Sequence, residues 1–130
     1  MSLKSKGAAA ERELLHMLCD SGFSCVRVAG SGSTPELSCD LLAGNDVAKF
    51  AIECKTSKKM TKYLEQAQMK ELMTFARRFG LTPLVAIKFS RQGWHFIKPD
   101  KLNKTEKSFV ISLDEIKKHG CDFKQLIEFS

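Results

Sequence analysis

Apolar and polar positions along the chain follow two periods, and the switches between them mark out the elements. Residues 7–21 carry apolar positions at Ala8, Leu14, Leu15 and Leu18, three and four apart, with Gly22 as a stop, which predicts a first helix. Residues 23–29 are short and rich in Val, Phe and Cys, and predict a strand that runs into the turn-favouring Gly30-Ser31-Gly32-Ser33-Thr34-Pro35 loop. Residues 40–43 and 47–56 are apolar-rich and separated by Gly44-Asn45-Asp46, whose Gly and Asn tolerate positive φ, so they predict an antiparallel hairpin. A second helix is expected over 64–79, with Leu72, Phe75, Ala76 and Phe79 on one stripe and Gly80 as its cap. Residues 83–89 and 94–97 predict another hairpin around Arg91-Gln92-Gly93, and 108–130 offers one short strand and one or two short helices. The order helix, three strands, helix, two strands gives an α/β class with a central mixed sheet of about five strands flanked by helices. A single domain over 1–130 is expected, with 108–130 peripheral.

This pattern brings distant acids together. Reflecting the first hairpin about Gly44-Asn45-Asp46 sets Asp40 opposite a residue near Ile52 or Glu53. The period of two then puts Phe50, Ile52 and Cys54 on one face of the strand, and Ala51, Glu53 and Lys55 on the other.

Composition narrows the class. With 43% hydrophobic and 28% charged residues and three prolines, the chain is globular and neither disordered nor fibrous. No apolar run approaches the roughly 18 residues that span a bilayer, and the basic start is followed by Gly7-Ala8-Ala9-Ala10-Glu11-Arg12-Glu13 and not by an apolar signal core. A cytoplasmic protein is therefore expected. Five cysteines, an odd number without a C-x-x-C pair, point to reduced thiols and to neither a disulfide framework nor a zinc site. A net charge of +6 attracts polyanions, with nucleic acid the leading partner.

The candidate chemistry follows from the hairpin. Two adjacent carboxylates repel each other unless a hard divalent cation such as Mg²⁺ lies between them, so Asp40 and Glu53 are candidate metal ligands, with the backbone carbonyl of Cys54 as a third. Lys55 adds a cation beside them, able to orient water or to offset charge on a phosphorane-like centre, and the set suits phosphodiester hydrolysis. Glu11 precedes Leu14 and Leu15 by three and four and points toward the sheet. Its available partners are Arg12, Arg27, a metal ion or the DNA phosphates. Lys58, Lys59 and Lys62 follow the strand and lay positive charge along a DNA path, as does Lys6 in the basic start. His16, His95 and His119 share no ligand spacing, and Cys39 and Cys54 lack a paired base.

Lys6-Gly7 with Glu11-Arg12-Glu13-Leu14, Val26-Arg27-Val28-Ala29-Gly30-Ser31-Gly32, Asp40, Ala51-Ile52-Glu53-Cys54-Lys55 and Thr74-Phe75-Ala76-Arg77-Arg78-Phe79-Gly80 stand in an order and spacing that resembles the archaeal-type Holliday junction resolvases of the PD-(D/E)XK nuclease superfamily. The resemblance spans roughly Lys6 to Lys98. It implies a restriction-endonuclease-like core, Mg²⁺ (with Mn²⁺ as substitute) on Asp40 and Glu53, Lys55 as catalytic lysine and Glu11 as a further active-site acid. It also implies that Ser31 contributes to cleavage, that Arg12, Arg27 and Lys88 contact the DNA backbone, and that Phe75 and Phe79 help form a homodimer surface. The family's proline before the metal-binding aspartate is Cys39 here, which removes a backbone restraint and leaves the ligands in place.

The function expected is thus paired, metal-dependent incision of four-way DNA junctions by a homodimer. The rivals are a nuclease of the same superfamily acting on other DNA structures, which shares every acid, and a non-catalytic DNA-binding module, which needs none of them.

Overall fold

The computed structural model describes residues 3–30 and 33–129. Helix α1 (Leu3–Asp20) starts earlier than the apolar pattern implied, and Gly22, at φ 95°, turns the chain into strand β1 (Ser24–Arg27). Strands β2 (Leu41–Gly44) and β3 (Lys49–Ser57) form the expected hairpin, with Asn45 Oδ1 accepting from the Val47 and Ala48 N–H groups to close its turn. After β4 (Thr61–Glu65) and α2 (Gln66–Phe79), β5 (Thr82–Phe89) returns parallel to β3, and β6 (Gly93–Ile97) pairs antiparallel with β5. The chain continues through a single 3₁₀ turn (Pro99–Lys101), β7 (Asn103–Lys104), β8 (Ser108–Ser112), α3 (Leu113–His119), β9 (Cys121–Asp122) and α4 (Phe123–Glu128).

Six strands make one mixed sheet in the order β1-β2-β3-β5-β6-β9, and β4-β8-β7 make a second, smaller sheet. Side-chain alternation splits the core across the large sheet, as the period of two requires. Ala51, Val85 and Ile87 pack beneath Met69, Leu72 and Ala76 of α2 and against Ile111, Leu113 and Ile116. Phe50, Ile52, Leu84, Ala86 and Phe96 face the other way, against Leu14 and Leu18 of α1 and Leu126 of α4. Burying each of these large side chains contributes about 1.5–3 kcal/mol, which is why both helices lie flat on the sheet. Gly80 ends α2 in the left-handed region (φ 84°), where its N–H reaches the carbonyls of Ala76 and Arg77.

Two expectations change. The second helix begins at Gln66 and not at residue 64, because 61–65 form β4 by pairing with β8, and Leu64 is buried in that sheet. The partner strand lies more than forty residues downstream in the register Thr61↔Ser112, beyond the reach of a local pattern. Residues 108–129, expected to be peripheral, supply β8 to the second sheet, β9 to the edge of β6, and Ile111, Leu113, Ile116 and Leu126 to the core. That sixth strand accounts for the difference from the expected five. At the join, Gly120 passes so close to β6 that a Cβ there would collide with the Phe96 carbonyl, so only glycine admits this approach. Among the described residues, no helix is long and apolar enough to cross a membrane.

Candidate active site

Asp40 is held by its backbone on both sides before β2 begins. Its N–H donates to the Ile52 carbonyl at 3.0 Å, and its carbonyl accepts from the Val28 N–H at 2.9 Å. With Leu41 paired to Ile52, Asp40 falls opposite Glu53, as the hairpin reflection predicts. Its side chain takes the place of a ladder partner where β2 stops, Oδ2 accepting the Cys54 N–H at 2.8 Å. The carboxylate is therefore fixed in direction at the sheet edge.

Glu53 projects from β3 on the α2 side, and its carboxyl hydrogen-bonds to that of Asp40. Burial, then the charge of Asp40, push Glu53 up to about 8, against a smaller downward pull from Lys55. Ionising Glu53 beside Asp40 is therefore costly, and Glu53 keeps its proton at neutral pH. Lys55 Nζ lies 3.7 Å from Glu53 Oε2 and donates to Gln68 Oε1 at 2.8 Å. Gln68 sits in the first turns of α2, so packing of that helix on the sheet sets the direction of the lysine. Nothing in the local sequence singles out Gln68; only the crossover from β3 through α2 brings it to Lys55.

Glu11 approaches from α1 and is bound by Arg27, Nε to Oε1 at 2.8 Å, which selects one of the partners the sequence left open. Burial and the charge of Asp40 raise its carboxyl, and the Arg27 hydrogen bond opposes them. Among the described residues, no three His, Cys, Asp or Glu side chains form a group that could hold an ion. The pair fits Mg²⁺, which is bound through one or two carboxylates and keeps several waters, and a cation would replace the Glu53 proton.

Asp40, Glu53 and Gln68 line a cleft of about 230 Å³ whose walls also carry Glu36 and Glu71. Glu36 and Glu71 are additions that the hairpin argument did not reach. Ser31 lies outside the described residues, as does the side chain of Lys6. Lys58 and Lys88 come together on a surface depression of about 340 Å³ with Thr56 and Ser90. Lys88 is already paired there with Glu13 at 2.8 Å, and the same carboxylate accepts from Trp94 Nε1 at 2.8 Å. Arg12 and Lys59 are exposed and Lys62 half-buried. Phe75 and Phe79 stack with centroids 5.5 Å apart, and Phe79 is 60% exposed. All five cysteines are free, and burial pushes the Cys39 thiol up to about 12, which removes it as a nucleophile.

Glu53 binds its proton more tightly in the folded chain than in the unfolded one. Its stabilising contribution is thus full below its ordinary value of 4.5 and is lost as pH rises through about 8. Glu53→Gln, which mimics the protonated state, should raise the melting temperature by roughly 5 °C at about pH 9 in chelator. At about pH 4 it should leave the melt unchanged. Thermal unfolding at the two pH values checks this, and equal melting of both proteins at high pH would exclude a buried, repelled carboxylate.

Comparison with known proteins bears on the whole chain. The profile of the archaeal Holliday junction resolvase (hjc) family matches residues 2–130. The crossover junction endodeoxyribonuclease Hjc of Archaeoglobus fulgidus is 44% identical over 109 residues, covering 84% of this chain and 80% of the relative. That of Methanocaldococcus jannaschii is 37% identical over 122 residues, covering 94% of this chain and 86% of the relative. The solved structure of A. fulgidus Hjc, a Holliday junction resolvase, superposes with a TM-score of 0.86 at 37% identity over 93% of this chain and 99% of that one. The restriction-endonuclease-like sheet, its register and these matches together make this chain a member of the archaeal Holliday junction resolvase family.

Proposed function

We propose that this chain is a structure-selective endonuclease that cuts four-way DNA junctions by Mg²⁺-dependent hydrolysis and works as a homodimer. The observation that carries the chemistry is the Asp40–Glu53 carboxyl pair in one cleft, with Lys55 Nζ 3.7 Å from Glu53. The junction as substrate follows from family membership and from the names of the relatives.

Asp40, Glu53 and the Cys54 carbonyl are the groups that would hold the ion. When bound, Mg²⁺ supplies Lewis-acid charge at the scissile phosphate and lowers the pKa of a water ligand. The protein's own groups do the rest. Asp40 keeps its orientation through the Cys54 N–H, and Glu53 would release its proton to solvent where it held the ion. Lys55, aimed by Gln68, offsets negative charge that builds on the phosphate oxygens as water attacks. Glu11, fixed by Arg27, adds a carboxylate close enough to Asp40 and Glu53 to raise both Glu53 and itself, and so to accept a proton from cleft water. Arg12, Arg27, Lys58, Lys59, Lys62 and Lys88 contact the DNA backbone, with Lys88 exchanging Glu13 for phosphate; Lys6 completes that set, and Ser31 contributes to cleavage.

The homodimer reading is supported by an apolar patch on one side of the molecule. Phe79, 60% exposed, borders a surface depression with Val26, itself 57% exposed, and with Leu42 and Leu81. An exposed apolar patch of this kind is a marker of association. A two-fold assembly gives two clefts, one for each of two opposed strands, and hence paired incisions.

Glu53→Gln should abolish Mg²⁺-dependent cutting of a synthetic four-way junction while gel-shift affinity in the absence of divalent ions stays within about threefold of wild type. Cutting at the wild-type rate would refute the mechanism, and equal cutting of linear duplex of the same sequence would refute junction selectivity. Gln68→Ala should lower the single-turnover rate on the junction about tenfold to a hundredfold with little change in binding, since Lys55 remains but loses its aim. A rate equal to wild type would remove Gln68 from the site. Phe79→Asp should elute as a monomer in size-exclusion chromatography with light scattering and should lose paired incision. An unchanged dimer mass would place the interface elsewhere.

A further inference from the structure

A groove of about 640 Å³ lies at the end of the large sheet away from the catalytic cleft, between the start of β3 and the C-terminal helices. Lys49 and Phe50, which line it, precede Glu53 by three and four residues, roughly 10–13 Å along the strand. Its floor includes Phe50, Phe96 and Leu126, all buried. Its rim carries Val47 and Phe129, at 75% and 82% the two most exposed large apolar side chains among the described residues. Exposed Lys49, Lys98 and Lys101 surround it, and no Asp or Glu is among its lining residues. Among the described residues none of these three lysines is ion-paired to a carboxylate; Lys49 donates to the Asn45 carbonyl.

We infer that this groove is a docking site for an acidic peptide segment of a partner protein, one that carries an aliphatic or aromatic anchor among its carboxylates. Charge and shape select that occupant. The unpaired lysines attract carboxylates and steer their approach, while an apolar anchor between Val47 and Phe129 removes from water surface that the chain leaves bare. Duplex DNA uses the cations but gains nothing from an apolar floor. Single-stranded DNA needs successive aromatic faces on which to stack, and here Phe50 and Phe96 are sunk below the surface, leaving Phe129 alone. The site is separate from the nuclease reading, so either stands if the other fails.

The test is fluorescence anisotropy with the full-length protein and a short fluorescein-labelled peptide composed of Asp, Glu, Leu and Phe. Saturable binding is expected. It should weaken about tenfold or more in a Lys98→Glu/Lys101→Glu double variant and, independently, in Phe129→Ser. Both variants should melt and cut junctions as wild type does. A peptide with Lys in place of each acid, and one with Ser in place of each apolar residue, should fail to compete. No saturation with the acidic peptide, or equal binding by the basic one, would overturn the inference. Loss of junction or single-strand binding in the double variant would also overturn it, by assigning the lysines to DNA.

Discussion

Two carboxyl groups are held together in a place where they cannot escape each other, and the remainder of the site answers to that constraint. Asp40 has no freedom to turn away: its N–H and its carboxylate are engaged by β3, at Ile52 and Cys54, and its carbonyl by Val28 just past β1. The hairpin register fixes Glu53 opposite it. Burial and the charge of Asp40 make an ionised Glu53 costly, so a proton on Glu53, or a cation in its place, relieves the repulsion. A backbone ladder thus converts hydrogen bonding, which any sequence makes, into an electrostatic demand that only particular side chains create.

That demand sits oddly in a chain with an excess of positive charge, and the contrast is informative. The net charge of +6 draws a polyanion from a distance, yet the cleft itself is walled by Glu36, Asp40, Glu53 and Glu71. A phosphate therefore reaches the surface readily and the cleft reluctantly. Lys55, together with the cation proposed for the carboxyl pair, would reverse the local sign, so that binding and cutting answer to different charges. This separation is the reason that neutralising Glu53 is expected to leave affinity intact while removing hydrolysis.

The parts of this arrangement that were legible in the sequence were those set by short-range geometry. Gly44-Asn45-Asp46 announced a hairpin, and a period of two then placed Glu53 and Lys55 on one face and Asp40 across from them. Glu11 was readable from its spacing to Leu14 and Leu15, and its Arg27 partner was among the options. What escaped depends on contacts between segments far apart in the chain. Thr61–Glu65 reads as the start of a helix until Ser108–Ser112 arrives to pair with it. Gln68 looks like any polar residue on a helix until the β3–β5 crossover carries it over Lys55. The last residues looked peripheral because β9 is two residues long and carries no period, although Gly120 and its close approach to Phe96 secure it to the sheet.

Helix α2 shows how few degrees of freedom remain once these demands are combined. Met69, Leu72 and Ala76 bury one stripe against the sheet, which fixes the rotation of the helix about its axis. That rotation delivers Gln68 to Lys55 near one end and presents Phe79 outward at the other, eleven residues on, roughly 16 Å away. A loop could satisfy either requirement alone. Only a rigid element satisfies both at once, because a lysine misdirected by an ångström loses its effect and, in the proposed homodimer, the assembly face must hold its angle to the cleft for two clefts to meet two strands. The core stripe of α2 is therefore a condition of the chemistry as much as of the fold.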